Sequence, residues 1–277
     1  MDALVCSLCP RHCSLVSGQI GACRARKNVG EAICGLNYGR ITSLALDPIE
    51  KKPLMRFHPG NYILSVGGFG CNLHCPFCQN FTISTAGEDF PTQELSPEAL
   101  ANLAQNLAAK SPGNLGVAFT YNEPLINFEY VLETAKLLTA RGLHTVLVTN
   151  GFVEEAPFRE LIPYVSALNI DLKGFKPEFY RWVGGDFAVV CRNIEIAAKA
   201  THVEVTTLII PGENDSPADM AAEARWLTGI NPELPLHVSR FFPRHRLTDR
   251  EATPVQTVYA LAEVAKRYLK YVYTGNC

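Results

Sequence analysis

From about Asn61 onward, short runs of apolar residues alternate with longer stretches in which apolar positions recur every three or four residues. The short runs read as strands: Tyr62 to Val66, Leu115 to Phe119, His144 to Thr149, Leu168 to Leu172, Val203 to Ile210 and His237 to Phe241. The longer stretches read as helices. One starts at Ser96-Pro97, a capping serine followed by a first-turn proline, and carries Leu100, Leu103 and Leu107 on one face before Ser111-Pro-Gly. Others cover Leu125 to Arg141, stopped by Gly142, Ala218 to Leu227 and Val255 to Leu269. Strands alternating with helices of this length predict βαβ units and a parallel sheet. Right-handed crossovers then wind the chain into a barrel or an open sheet. Four polar groups each sit just after a strand's C-terminal end: Thr120-Tyr-Asn-Glu-Pro124, Thr149-Asn-Gly151, Asp171-Leu-Lys173 and Pro211-Gly-Glu-Asn-Asp215. This favours the barrel, whose strand ends share one face where sites are built.

The first 36 residues lack that periodicity. They read as a small module that metal must staple, because so short a segment cannot support its own core. We therefore expect a cysteine-rich module at residues 1–36, a bridging segment at 37–60 and the barrel at 61–277. At 277 residues the chain can bury a sizeable core. A net charge of −2 gives no global reason to expect nucleic acid. No run approaches about 18 apolar residues and no leader is recognisable, so the expectation is a cytoplasmic protein without a membrane partner.

Ten cysteines in such a chain argue for metal ligation, and eight of them lie in the first 78 residues. Cys71, Cys75 and Cys78 are spaced so that all three can reach one iron–sulfur cube while leaving one iron without a protein ligand. An open position of that kind separates catalytic metal sites from closed ones. The alternatives are a zinc site or part of a closed cluster; a zinc knuckle more often shows two C-x2-C pairs. Cys6, Cys9, Cys13 and Cys23 have the count and closeness of a separate four-thiolate site, for zinc or for a second cluster, with Cys34 able to replace one member. Cys191 reads as a small buried hydrophobe.

The run Gly70-Cys-Asn-Leu-His-Cys-Pro-Phe-Cys-Gln-Asn80, with Asp47-Pro-Ile-Glu-Lys-Lys-Pro53, Tyr121-Asn-Glu-Pro124, Thr149-Asn-Gly151 and Asp171-Leu-Lys173, resembles the radical S-adenosylmethionine (SAM) superfamily. Within it the chain is similar to pyruvate formate-lyase activating enzymes, and closer to the AmmeMemoRadiSam-system radical SAM proteins. The resemblance covers nearly the whole chain. It implies an α/β fold, a partial (β/α)6 TIM-like barrel, with a [4Fe–4S] cluster on Cys71, Cys75 and Cys78 and SAM on the fourth iron. It implies further that Phe77 lies near the adenine, that Tyr121, Asn122 and Glu123 meet the SAM amino group, and that Thr149, Asn150, Asp171 and Lys173 line the methionine and ribose region. His245 corresponds more loosely to a histidine near the ribose. The implied activity is reductive cleavage of SAM to a 5′-deoxyadenosyl radical that abstracts hydrogen. The implied partners are an electron donor such as flavodoxin or ferredoxin and a protein substrate, as in a glycyl-radical activase. A small-molecule or peptide substrate, or a non-enzymatic electron carrier, are the other readings.

Two departures stand out. The activases carry an acidic residue where Val148 stands and a Gly-Pro-Gly where Asp47-Pro-Ile-Glu50 stands. Taken residue by residue, Glu123 could also be a solvated loop carboxylate, Asp171 with Lys173 a surface ion pair, and Asn150-Gly151 an ordinary turn. His237, and Arg240, Arg244 and Arg246, read equally well as structural or solvated groups.

Overall fold

A computed structural model describes residues 3–277. Eight strands form its main sheet: β1 (Ser43–Pro48), β2 (Tyr62–Gly67), β3 (Gly116–Phe119), β4 (His144–Thr149), β5 (Ala167–Asp171), β6 (His202–Ile209), β7 (Leu236–Arg240) and β8 (Val272–Gly275). They lie side by side in sequence order, β2 to β8 all parallel and β1 antiparallel to β2. The six expected strands are β2 to β7. Two more belong to the sheet. β1 falls inside the segment read as a bridge, and β8 is a four-residue strand whose apolar signal is too short to stand out.

Helices fill the crossovers: α1 (Phe81–Ser84), α2 (Pro97–Ala108), α3 (Phe128–Ala140), α4 (Glu155–Leu161), α5 (Pro177–Val183), α6 (Phe187–Ala198), α7 (Pro217–Ile230) and α8 (Val255–Ala265). The caps follow the local chemistry. Ser96 Oγ accepts the Ala99 N–H at 3.2 Å at the start of α2, Asp186 accepts the Ala188 N–H at 2.8 Å at the start of α6, and Ser216 Oγ accepts the Ala218 N–H at 3.2 Å at the start of α7. Their apolar faces, such as Leu100, Ala101 and Ala104 of α2 or Val190, Ile194 and Ala197 of α6, cover the outside of the sheet in one core. Pro124 shortens the expected helix at 125: residues 124–127 form a 3-10 turn before α3 begins.

The other face of the sheet is filled from below. Ile49, Leu54 and Phe57 pack against Ile63, Ala118, Val146 and Ala167, one from each of β2 to β5. Backbone pairing seals this plug: the N–H groups of Met55 and Arg56 donate to Glu204 at 3.0 and 2.7 Å, and Asn169 Nδ2 donates to the Pro53 carbonyl at 2.8 Å. Residues 49–57 of the segment read as a bridge therefore pack into the barrel core.

Ahead of it, residues 4–5 pair with 14–15 and residues 26–28 with 33–35 in two small ribbons. This module packs on the strand-end face. The Cys71 N–H donates to the Cys23 carbonyl at 3.2 Å, the Glu154 N–H to the Leu8 carbonyl at 3.0 Å, and Arg11 Nε to the Asn72 carbonyl at 2.6 Å. Cys23 and Ala25 share a small apolar cluster with Phe69 and Ile126.

Candidate active site

Parallel register places the C-terminal ends of β2 to β7 along one rim, with Val66 opposite Phe119, Leu147 opposite Phe119, and Thr149 opposite Ile170. The cysteine loop leaves β2 through Gly67-Gly68-Phe69-Gly70. Gly70 has φ +85°, and a side chain there would come within 2.5 Å of the Cys23 carbonyl oxygen, so glycine lets the module seat directly against the loop. Asn122 holds this exit. Its Oδ1 accepts the Gly68 N–H at 2.9 Å and its Nδ2 donates to the Gly70 carbonyl at 3.1 Å. Its side chain thus positions the loop.

Cys71, Cys75 and Cys78 are each half-buried and together line two adjoining cavities. One, of about 260 Å³, is closed by His74, Ser84, Arg24, His245 and Arg246. The other, of about 290 Å³, carries Phe77, Tyr121, Asn122, Glu123, Thr149, Asn150, Asp171 and Lys173. Every predicted cofactor residue except His245 is in that second cavity. His245 stands on the far side of the cysteine loop, stacked on Phe81 with ring centres 4.8 Å apart.

The sulfurs have donors already aimed at them. Leu73 N–H points at Cys71 Sγ (3.4 Å), Asn150 Nδ2 at the same sulfur (3.7 Å), and Ser84 Oγ lies 3.2 Å from Cys78 Sγ. Burial pushes the Cys75 thiol up to about 11 and raises Cys71 well above its usual range. As free groups these two would keep their protons, and bound iron is what would release them. Among the described residues no three His, Cys, Asp or Glu side chains gather around a single metal ion. Four sulfurs bound to one zinc at ~2.3 Å stand only ~3.8 Å apart, whereas a cube takes each thiolate on a different iron. Three thiols on one shared wall, with polar contacts to two of them, fit a cluster.

Glu123 is 2 % exposed. Its Oε1 accepts the Leu125 N–H at 2.9 Å and the Thr149 hydroxyl at 2.7 Å, and its Oε2 accepts the Asn150 N–H at 2.8 Å. Burial raises its pKa to about 7 in spite of these three donors. A carboxylate offers about four lone-pair positions, so one is left for a cation in the cavity. It is not a solvated loop carboxylate. Asp171 and Lys173 form an ion pair at 2.7 Å on the cavity wall, where the Lys173 side chain is only 17 % exposed. Burial alone would lower the Lys173 pKa, but the Asp171 carboxylate and the neighbouring Cys75 raise it. Phe77 is buried against Trp182 and Phe179, with ring centres 5.5 and 6.1 Å away. Asn150 closes a turn and also faces the cysteine loop. Its Oδ1 accepts the Phe152 N–H at 2.8 Å, closing the turn at Gly151, while its Nδ2 reaches Asn72 Oδ1 at 3.0 Å and Cys71.

Tyr121 has φ +71°, a left-handed conformation that an ordinary side chain adopts at a cost. The surroundings hold it there. Its hydroxyl donates to Asp47 Oδ2 at 2.9 Å, Lys52 Nζ lies 4.8 Å from its ring centre, and Lys52 Nζ also pairs with Asp47 at 3.0 Å. Burial raises Asp47, but Lys52 and Tyr121 outweigh it and bring its pKa down to about 2. The plug therefore supplies a charged floor beneath the site. Sequence reasoning singled out Asp47-Pro-Ile-Glu-Lys-Lys-Pro53 without assigning it this place. It also missed Asn72, whose partners Phe152 and Asn150 are about 80 positions away, and Ser84, which meets Cys78 six positions back only because α1 folds against the cysteine loop. His237 is structural: its Nε2 lies 2.6 Å from Glu204 at the closed end of the barrel.

Comparison with known proteins bears on the family and the fold. The radical SAM superfamily profile matches residues 65–224. An uncharacterized protein of Methanocaldococcus jannaschii is 38% identical over 98% of this chain and 80% of its own length. The pyruvate formate-lyase-activating enzyme of Clostridium pasteurianum is 28% identical over 52% of this chain, which spans 63% of that enzyme. Among solved structures, Streptococcus suis SuiB bound to S-adenosylmethionine superposes with a TM-score of 0.59 at 13% identity, over 75% of this chain and 48% of that one.

Proposed function

The chain belongs to the radical SAM superfamily, and from that membership we propose that it acts on another protein, as an activase of a glycyl radical enzyme. The observation that carries the reading is the common wall that Cys71, Cys75 and Cys78 make between two cavities, the second of them lined by Glu123 and the Asp171–Lys173 pair. Cys71, Cys75 and Cys78 would hold three irons of a [4Fe–4S] cluster, leaving the fourth to SAM. When bound, the pair supplies a one-electron reductive cleavage to methionine and a 5′-deoxyadenosyl radical that takes a hydrogen atom from the substrate.

The chain's own groups bind and orient. The free lone pair of buried Glu123 accepts the SAM ammonium, and that cation returns Glu123 to its ionised form. Lys173 offers a cation to the methionine carboxylate, and Asp171 an acceptor to a ribose hydroxyl. Phe77 gives the adenine an apolar wall. The donors from Leu73, Asn150 and Ser84 stabilise charge on the sulfurs. Ile49, Leu54 and Phe57 fill the barrel from below, so water has no path to the site from that end and a substrate must arrive over the strand-end rim. Approach over a rim suits a loop of a folded partner. Relatives that carry activase names, such as benzylsuccinate synthase activating enzyme at 29% identity, support that substrate class. A flavodoxin or ferredoxin would supply the electron.

The test is anaerobic reconstitution with iron and sulfide, reduction, and assay for 5′-deoxyadenosine. The wild type should form it, and Cys71→Ala, Cys75→Ala or Cys78→Ala should each abolish it. Adding candidate glycyl radical enzymes one at a time should then, for one of them, produce a protein-centred radical signal in electron paramagnetic resonance (EPR). Product that survives the cysteine changes would sink the cluster assignment. A signal absent from every such partner, with turnover of a small molecule in its place, would sink the activase assignment.

A further inference from the structure

We propose that Cys6, Cys9, Cys13 and Cys23 hold a second iron–sulfur cluster, closed by four thiolates and seated against the first site. All four line one small cavity in the module, with Arg11 and Arg26 in its wall. Cys6, Cys9 and Cys23 are each at most 8 % exposed, although the described residues around them form little more than two short ribbons and the Ile20–Lys27 bridge. The chain turns to bring them together. The Cys6 N–H donates to the Cys13 carbonyl at 3.0 Å, and His12 and Arg24, beside Cys13 and Cys23, take left-handed φ angles of +40° and +62°.

One observation favours a cluster over a single zinc ion, and a second calls for anionic sulfur in the cavity. First, among the described residues no three such ligands gather around one ion. Thiols that share a cavity without meeting at a point suit a cube with one thiolate on each iron. Second, the cavity wall carries an unpaired donor. Arg26 is 7 % exposed and pairs its terminal nitrogens with Glu129, yet its Nε is buried without an acceptor. A buried donor left unpaired costs about 1–3 kcal/mol, and sulfur of an anionic cluster would satisfy it. The Cys23 carbonyl accepts the Cys71 N–H at 3.2 Å, so one backbone hydrogen bond joins the two cysteine sets. Unlike the first set, this one is complete. It leaves no iron for SAM, and its spectrum should therefore ignore SAM.

The test uses the full chain, reconstituted anaerobically, with iron, acid-labile sulfide and zinc measured per chain and EPR recorded after reduction. Wild type should hold about eight irons, and the variant combining Cys71→Ala, Cys75→Ala and Cys78→Ala should keep about four, as two four-iron sites require. That variant's reduced EPR signal should not change when SAM is added. The complementary variant, Cys6→Ala with Cys9→Ala and Cys23→Ala, should keep a signal that SAM does change. The first variant decides the proposal by itself: a chain without iron, or with about one zinc in its place, overturns it. If the first variant keeps its iron while the folded complementary variant shows no SAM-sensitive signal, the active-site reading fails and the second cluster stands.

Discussion

Glu123 shows how one residue acquires a role from its partners. Three chain donors converge on its two oxygens, and burial holds its pKa near 7, so a cation entering the cavity meets a carboxylate poised to ionise. Glu123→Gln keeps the shape but turns one acceptor into a donor facing the Thr149 hydroxyl or the Asn150 N–H. Losing a hydrogen bond to a charged group costs about 1.5–3 kcal/mol, so SAM affinity should fall roughly 10- to 100-fold while bound iron stays constant. A SAM titration of the cluster-loaded variant checks this, and unchanged affinity would remove Glu123 from the binding site. Tyr121 makes the complementary point. A tyrosine sits in a left-handed conformation because Asp47 and Lys52 grip its side chain from the plug.

At the scale of elements, α7 carries an acidic residue on its buried face. Glu223 lies among Met220, Ala224 and Leu227, its carboxyl bonded to the Thr207 hydroxyl of β6. Burial raises its pKa from 4.5 to about 8, against the lowering effect of Thr207. The folded state then holds this proton more tightly than the unfolded chain does. Its contribution is fully present below pH 4.5 and is lost as pH rises from there to about 8. Glu223→Gln cannot ionise, so its stability should decline less over that range, with a gap on the order of 1–4 kcal/mol in its favour at pH 8.5. Denaturant unfolding of both proteins at pH 5 and pH 8.5 gives the comparison. Parallel pH profiles would show that Glu223 titrates normally.

For the molecule as a whole, closure of the barrel floor is the decisive packing event. Glu204 of β6 is fully buried and ties four groups: the N–H groups of Met55 and Arg56, His202 at 2.9 Å and His237 at 2.6 Å. Burial would raise its pKa, yet the two histidines and the backbone donors bring it down to about 2. Its stabilisation is present above pH 4.5 and drains away as pH falls toward 2. Glu204→Ala orphans buried donors and should cost about 3–5 kcal/mol. That corresponds to a drop in Tm of more than about 6 °C, and calorimetry at pH 7 measures it. The loss should also free the plug, so the Asp47–Lys52–Tyr121 contacts at the upper end should loosen with it. A Tm within about 2 °C of wild type would show that the floor is held by its apolar residues alone.

Local chemistry in the sequence was enough for the alternation of six parallel strands with helices, the cap at Ser96, the close spacing of three cysteines and the polar groups at strand ends. These are short-range features, written in neighbouring residues. Two strands escaped: β1, because its residues looked like a charged bridge, and β8, because four residues carry too little pattern. Contacts between distant residues were decided only in three dimensions. They include the plug beneath the site, the placement of His245 behind the cysteine loop, the Asn122 clamp and the seating of Cys23 against Cys71. The physical reason is the same throughout. A hydrogen bond such as Asn72 Nδ2 to the Phe152 carbonyl, at 2.6 Å and 80 positions apart, leaves no periodicity in the chain and exists only once the strands have paired.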